Sequence, residues 1–277
     1  MTTHPELKGT RMSAIKVAIA VIPALLILSI CIALYLGANA DQEESEPIVG
    51  EVSLAEMEDY LKKTQSMIGE RDLGTEAGQK ALRQVAAMSL GTFGPENLGY
   101  EVFKSQSDSA AGLLWPTLWI KAGERESERP FVLAVPQAGD GAGLAFAYGF
   151  AEYLTSHQSK LGVRIVLYPP LYDDDLPAWV WERCGTNQEE MLGFLKLSGG
   201  GSASELAELS GPAAMQASLR ELMEQKGWAG NVRLRSELSP FLELHLAGRE
   251  RGSRSEQAQQ IIRMMPLVKS LLERLAE

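Results

Sequence analysis

Cysteine and histidine are scarce in this chain of 277 residues, which has two cysteines and three histidines. Cys31 lies in an apolar N-terminal run and Cys184 stands by itself in the remainder, so no disulfide framework is expected within one chain. Lysine and arginine together number 26 against 36 acidic residues, which gives a formal net charge of −10. No basic stripe stands out that could neutralise phosphates, and a nucleic-acid partner is therefore not expected.

Familiar catalytic motifs are missing as well. No G-x-S-x-G sequence supports a hydrolase with a nucleophile elbow. The glycine-rich segment Gly139–Gly143 follows an apolar run, as a dinucleotide-binding turn would, but it lacks the final glycine of that fingerprint. We therefore expect no bound cofactor.

Charge is absent from one long stretch, residues 17–37, in which Ile, Leu, Val and Ala dominate. Its length matches the ~20 residues that a helix needs to cross a hydrocarbon core. Lys8, Arg11 and Lys16 precede the stretch and the acidic sequence DQEESEP follows it, an asymmetry that places the N-terminus in the cytoplasm. We therefore expect a single-pass membrane protein that contacts the lipid bilayer through residues 17–37 and carries an extracytoplasmic C-terminal domain.

A cleaved signal peptide is the alternative, because the tripeptide 38–40, Ala-Asn-Ala, has the small residues of a cleavage site. The apolar stretch is longer than the ~7–15 residues of a usual signal core, which favours a retained anchor. Either interpretation exports the chain beyond Asp41. The predicted organisation is a cytoplasmic segment 1–16, a transmembrane helix 17–37, an acidic linker 38–52 and an exported domain 53–277.

One strand and one helix form the centre of the predicted domain. Phe131–Val135 is a continuous apolar run, which is typical of a strand buried on both faces of a parallel sheet. Pro136 ends this strand because it removes a donor from the ladder. After a turn around Asp140, residues 142–154 predict a buried helix, since they are apolar or small nearly all round. This pattern predicts an α/β domain with its site at the carboxyl edge of the sheet.

Periodicity and apolar runs predict the remaining elements. A helix is predicted from about Ser53 and a second after Gly74, with Thr75 as its cap. Pro116 suits an edge strand because it cannot donate to a ladder. The other predicted strands are 100–103, 114–120, 163–168, 191–197, 232–236 and 241–246, with a loop over 198–202 and helices over 213–225 and 255–275. Together they predict an α/β fold with a mainly parallel central sheet and helices on both faces, preceded by one N-terminal transmembrane helix.

The order of these elements resembles the zinc aminopeptidases and glutamate-carboxypeptidase-like exopeptidases, including their membrane-anchored members. Two helices and a strand hairpin lead into a strand like PFVLAVPQ, and the loop GDGAG starts a helix like LAFAYGFAEYL. A strand like VRIVLYPP follows, and the final strand FLELHLA and helix IIRMMPLVKSLLERLA also fit. The resemblance covers roughly residues 54–277 and implies the zinc-exopeptidase fold.

What the resemblance implies for chemistry is a pair of zinc ions held by two histidines and three carboxylates, with a further glutamate as general base. The family's His-x-Asp at the end of the central strand falls on Pro136 and Ala138, and neither side chain can bind metal. The family's bridging aspartate matches Asp140, the one position that is retained.

The remaining ligands of the family are not matched in register. The Glu-Glu pair falls on residues 170–172, or on Asp173 and Asp174 if a shift is allowed, and the closing histidine falls on a glycine-serine sequence. His157 and His245 are predicted at the far end of the central helix and within the last strand, where they cannot share an ion. A working di-zinc site is therefore not expected.

We interpret the chain as a membrane-anchored, catalytically inactive relative of these exopeptidases that binds or scaffolds an unidentified protein or peptide partner at the cell envelope. Two alternatives remain open. One is a hydrolase with a rearranged carboxylate site around Asp140 and Asp173–Asp175, for which no partner base is evident. The other is an unrelated envelope protein with an α/β pattern. The vestigial site predicted by the resemblance comprises Pro136, Ala138, Asp140, Asp173 and Asp174.

Overall fold

A computed structural model describes residues 52–69, 71–72, 74–105, 108–110, 113–124, 129–157, 159, 161–169, 175–185, 190–201, 207–225, 227–228, 232–235, 241–247 and 253–275. All of them belong to one unit, Gly50–Glu277. The predicted anchor, residues 17–37, lies outside these ranges and stays a prediction, as do Asp173 and Asp174. None of the helices within the ranges is long and apolar enough to span a membrane.

The strands of the described residues form one large sheet and one hairpin. They are β1 (Val102–Lys104), β2 (Asp108–Ala110), β3 (Leu113–Trp115), β4 (Leu118–Gly123), β5 (Phe131–Pro136), β6 (Gly162–Tyr168), β7 (Gly193–Gly201), β8 (Ala207–Ser210), β9 (Val232–Leu234) and β10 (Leu242–Ala247). Eight of them form a sheet in the order β1-β4-β6-β5-β7-β10-β8-β9, and β2 pairs with β3 separately.

Parallel pairing is concentrated at the centre of the sheet, where β6, β5, β7 and β10 all run in the same direction. Leu133 pairs with Ile165, which confirms the prediction that their two strands are parallel neighbours. The flanks include antiparallel pairs, β1 with β4, β4 with β6, and β10 with β8. A further parallel pair, β8 with β9, lies at one edge. The sheet as a whole is therefore mixed, with four parallel strands at its centre.

The helices start where local signals predict them. Ser53 caps the first helix in a capping box with Glu56, and Thr75 accepts a hydrogen bond from the Gly78 N–H at 3.0 Å, as predicted for a cap. The helices are α1 (Leu54–Leu61), which continues as a π-helical segment over Lys62–Met67, α2 (Glu76–Phe93), α3 (Ala142–Ser156), α4 (Leu176–Cys184), α5 (Gln216–Gln225), which follows a 3₁₀ turn over Ala213–Met215, and α6 (Arg254–Leu275).

Both faces of the sheet are covered by helices, as predicted. Along β5, Leu133 and Val135 belong to the core under α1, α2, α3, α5 and α6, which we call the α3 face. Val132 and Ala134 belong to a second core under α4, which we call the α4 face. Alternate residues of the strand are thus buried on opposite sides, and this is why β5 is apolar throughout.

The central helix α3 lies under two other helices. A Cβ built on Gly149 would lie 2.3 Å from Met57 Cε of α1 and 2.5 Å from Met265 Cε of α6. A glycine at this position therefore lets the helices approach closely. The buried length of α3 holds the turn before it in a fixed position at the carboxyl edge of β5.

Two predictions on strands were wrong. The predicted strand 114–120 is divided at Pro116, because β3 ends at Trp115 and β4 begins at Leu118. The predicted loop 198–202 is strand as far as Gly201, since this part of β7 pairs with β10. Pairing with a neighbouring strand outweighs the low strand propensity of three glycines. The sequence prediction also missed β2, β8 and α4, although Asp175 caps α4 and a proline stands in its first turn.

Candidate functional site

The carboxyl edge of β5 carries the segment on which the sequence resemblance places the family's metal site. Pro136 is the last residue of β5 and pairs with Tyr168 of β6, and the partly buried Ala138 follows in the turn. Asp140 precedes α3, and its Oδ1 accepts a hydrogen bond from the Ala142 N–H at 3.0 Å. The structure thus brings Pro136, Ala138 and Asp140 into one turn, which we call the Asp140 loop (residues 136–141).

Gln137, the residue between Pro136 and Ala138, ties this loop to its neighbours. Its side chain is fully buried, and Nε2 donates to the Pro116 and Leu167 carbonyl oxygens, each at 3.0 Å. Its backbone N–H donates to the Tyr168 oxygen at 2.8 Å. The carboxyl ends of β5 and β6 are therefore adjacent, as predicted from their parallel pairing.

On the β7 side, the Asp140 carboxylate packs directly against backbone. A Cβ built on Gly199 would lie only 2.2 Å from Asp140 Oδ1 and 3.1 Å from the Gly143 nitrogen. Real Cβ atoms do not approach that closely, so the space beside this carboxylate admits only glycine in β7. The end of β7 therefore closes one side of the Asp140 loop.

A buried arginine approaches the same loop from the N-terminal part of the domain. Arg71 is 5% exposed. Its Nη1 donates to the Thr64 oxygen at 2.6 Å and its Nη2 donates to the Gly139 oxygen. Burial lowers the pKa of Arg71 and the charge of Asp140 raises it, but a guanidinium stays protonated in proteins. A fixed positive charge is therefore held at Gly139, the residue before Asp140, and it acts on Asp140, which the sequence resemblance matches to a bridging aspartate.

The π-helical segment after α1 holds the last residue of the loop. Gly141 has φ of +89°, and a Cβ there would lie 2.9 Å from Thr64 Oγ1. Thr64 is itself buried, and its hydroxyl donates to the Tyr60 oxygen at 2.9 Å. The Asp140 loop is therefore contacted by Thr64 of the π-helical segment, by Arg71 of the following loop and by Gly199 of β7, and these contacts fix its position.

The described residues do not fit the di-zinc site of the family. Each zinc ion needs three or four nitrogen, sulfur or oxygen ligands, and Pro136 and Ala138 offer none through their side chains. Within the described ranges there is no group of three or more His, Cys, Asp and Glu side chains that could hold a metal ion. The Arg71 guanidinium supplies a positive charge close to Asp140, and a metal ion there would be repelled by it.

The two histidines of the domain lie where the sequence predicts them. His157 follows α3 directly and stacks on Tyr153, with ring centroids 4.1 Å apart. His245 lies in β10. Asp173 and Asp174 lie outside the described residues, so their position relative to Asp140 remains a prediction.

Sequence reasoning missed Arg71, because no local sequence signal marks it. Arg71 lies in a loop between two predicted helices, where a basic residue is ordinary. Arg71 and Gly139 are 68 positions apart, so their contact depends on how α1 packs against α3. Local sequence patterns contain no information on that contact.

Solved structures share this fold, whereas no family model and no curated protein matches the chain. A protein described as a zinc-dependent exopeptidase from Bacteroides vulgatus superposes with a TM-score of 0.53 at 15% identity, over 78% of this chain and 96% of that one. Porphyromonas gingivalis glutaminyl cyclase gives 0.53 at 11% identity, over 80% and 98%. Tannerella forsythia glutaminyl cyclase gives 0.52 at 12% identity, over 78% and 97%.

These likenesses cover nearly the whole of each solved chain and most of this one. The sheet of this chain has helices on both of its faces, as the sequence resemblance implied. The chain therefore has the zinc-exopeptidase-like fold that these exopeptidase-like proteins and glutaminyl cyclases share.

Proposed function

We propose that this chain is a membrane-anchored, catalytically inactive relative of the zinc exopeptidases that acts by binding or scaffolding at the cell envelope. One observation is the main support for the proposed loss of activity. Pro136 and Ala138 stand where the resemblance places a histidine and an aspartate, and the Arg71 guanidinium lies beside the retained Asp140. The peptidase-like fold supports a protein or peptide chain as the partner.

The contacts of Arg71 support a structural use for the retained aspartate. The guanidinium donates to carbonyl oxygens of Thr64, Gly69 and Gly139, so it cannot leave without breaking three hydrogen bonds, of which the one to Thr64 is buried. A carboxylate that already has a buried counter-charge gains less from a metal ion than a free one does. The Asp140 loop is therefore suited to hold a fixed shape at the sheet edge, which favours recognition over metal chemistry.

Metal analysis tests the inactivity. We expect the full-length protein, purified in detergent, to contain far less than stoichiometric zinc and to release no amino acid from either end of a mixed peptide library. The double substitution Pro136→His and Ala138→Asp should restore neither property, because the other ligands are absent and Arg71 remains. Tight stoichiometric zinc in the unmodified protein would refute the proposal.

Protease accessibility tests the anchoring. With residues 17–37 in the membrane and positive charges before them, protease added to intact spheroplasts should digest the C-terminal domain. A cytoplasmic marker protein should survive the same treatment until detergent is added. Protection of the domain in sealed cells would contradict the proposed topology. A mature protein that begins at Asp41 would show instead that the apolar stretch is a cleaved signal peptide.

A further inference from the structure

A second polar cluster lies on the α4 face, on the two strands that continue the parallel sheet beyond β5. Ser198 of β7 pairs with His245 of β10, and Lys196 pairs with Glu243 in the same register. Leu197 and Leu244, which lie between these residues, belong to the core of the α3 face. The four polar side chains therefore share the opposite face. We call them the β7–β10 cluster.

The side chains of this cluster are arranged as serine, histidine and carboxylate, the order found around an activated serine. Ser198 Oγ lies 2.7 Å from His245 Nδ1. The other ring nitrogen, Nε2, lies 3.6 Å from Glu243 Oε2, and Glu243 Oε1 lies 2.6 Å from Lys196 Nζ. A hydroxyl, an imidazole and a carboxylate in this sequence form the arrangement by which a base activates a nucleophile and a third group orients the base.

Partial burial strengthens the electrostatic interactions between the side chains of the cluster. The side chains of Lys196, Glu243 and His245 are 13%, 16% and 18% exposed. Burial raises the pKa of Glu243, but the nearby His245 and Lys196 side chains outweigh burial, and the net pKa is lowered to about 2. Glu243 is therefore an anion at neutral pH, held in place by Lys196.

This anion determines which nitrogen of His245 carries the proton. A carboxylate near Nε2 favours the tautomer with hydrogen on Nε2, which leaves the lone pair of Nδ1 directed at Ser198 Oγ. The distance of 3.6 Å from Nε2 to Glu243 is longer than a hydrogen bond. Such contacts are often long in the absence of a substrate and shorten in the reacting complex.

The pairing of β7 with β10 is irregular next to the serine. Ser198 pairs with His245, whereas Gly201 pairs with Ala247, so residues 199 and 200 face the single residue 246. A bulge of this kind leaves one residue outside the ladder, together with its N–H group. Backbone N–H groups close to a nucleophile are the usual donors to the oxyanion that forms in acyl transfer.

We propose that Ser198 is an activated nucleophile that takes acyl groups from carboxylic esters, with His245 as general base and Glu243 as a positioning residue. Oγ forms a bond to the ester carbonyl carbon while its proton moves to His245 Nδ1. The imidazolium then returns that proton to the departing alcohol oxygen as the bond from carbon to that oxygen breaks. Water attacks the acyl-serine in the same way, so one ester and one water give one acid and one alcohol. The inactivity in the proposed function concerns only the metal-dependent peptidase site. The serine site goes beyond that function, because it uses neither the Asp140 loop nor a metal ion.

A fluorophosphonate probe, which reacts covalently with activated serines, tests the proposal on the full-length protein in detergent. We expect the probe to attach to Ser198, identified by mass spectrometry of the labelled peptide. Ser198→Ala should abolish the labelling, and His245→Gln should slow it about 100-fold. In both variants the rate of p-nitrophenyl acetate hydrolysis should fall together with the labelling. Their zinc content should equal that of the unmodified protein.

The chain offers a matched control in Ser156, whose Oγ lies 3.2 Å from His157 Nδ1 at the surface end of α3. Ser156→Ala should leave the labelling unchanged. Each variant is checked for the same cooperative thermal unfolding as the unmodified protein. The proposal is overturned if Ser198 in the folded protein reacts no faster than Ser156, or if His245→Gln leaves the rate unaltered.

The role of Glu243 has its own spectroscopic readout. In ¹⁵N NMR spectra the ring of His245 should carry its proton on Nε2, and Glu243→Gln should give a mixture of tautomers and label about 10-fold more slowly. A purely structural Glu243 would change the thermal stability but not the tautomer. A proton found on Nδ1 in the unmodified protein would contradict the assignment of His245 as the base.

Discussion

Replacement of Arg71 by methionine should lower the free energy of unfolding by about 3 kcal/mol, because it leaves the buried Thr64 carbonyl oxygen and the Gly139 carbonyl oxygen without their charged donor. Methionine keeps much of the side-chain volume but removes the donors to the Thr64 and Gly139 oxygens. It also removes the positive charge that interacts with Asp140, an interaction that raises the pKa of Arg71. Chemical unfolding of the full-length protein in detergent, followed by tryptophan fluorescence, measures the change.

Two further variants show whether the loss comes from the pair with Asp140. Arg83→Met removes an exposed arginine of α2 and should change stability by no more than about 0.5 kcal/mol. Asp140→Asn, added to Arg71→Met, should recover part of the loss, because the side chain at position 140 then carries no charge that Arg71 would balance. If Arg71→Met is as mild as Arg83→Met, the guanidinium does not hold the Asp140 loop.

Substitution of Gly199 by alanine should destabilise the domain by about 2 kcal/mol, the usual cost of overpacking a filled site. The new Cβ would lie 2.2 Å from Asp140 Oδ1 and 3.0 Å from the Ala142 Cβ. Either β7 or the Asp140 side chain must move, and movement of Asp140 breaks its hydrogen bond with the Ala142 N–H. Urea unfolding of the unmodified and substituted proteins gives the difference.

The same substitution at Gly91 provides a control with the opposite sign. Gly91 lies in α2 and is exposed, and a Cβ built there would meet no atom of the described residues within 4 Å outside its own helix backbone. Alanine there should stabilise the protein by up to about 1 kcal/mol, because glycine is a poor helix former. Equal effects at Gly91 and Gly199 would mean that β7 does not pack closely against the Asp140 carboxylate.

These two predictions concern one physical feature, the fixation of the Asp140 loop from both sides. Arg71 holds the loop through backbone oxygens, and Gly199 allows β7 to approach the carboxylate. A loop that is fixed in this way presents a constant surface to a partner. In the proposed function that surface replaces the metal site of the family, so the stability of the loop and its recognition of a partner should be lost together.

The sequence by itself determined the central unit of the fold. A continuous apolar run, a glycine-containing turn and a helix of small residues predicted β5, the Asp140 loop and α3, and the structure has each of them in that order. Thr75 was predicted as a cap and acts as one. These features depend on residues that are close in the chain, since burial on both faces and helix capping leave local patterns. The absence of metal-binding side chains at Pro136 and Ala138 was equally visible in the sequence.

Only the tertiary structure decided which distant residues meet. Arg71 reaches Gly139 across 68 positions, and Ser198 reaches His245 across 47. The second contact depends on the parallel register of β7 and β10, and a shift by one residue would place Ser198 and His245 on opposite faces. The glycines after Ser198 were predicted as a loop because their local propensity is for turns. Their place in a strand comes from hydrogen bonds with β10, a partner that the local sequence does not specify.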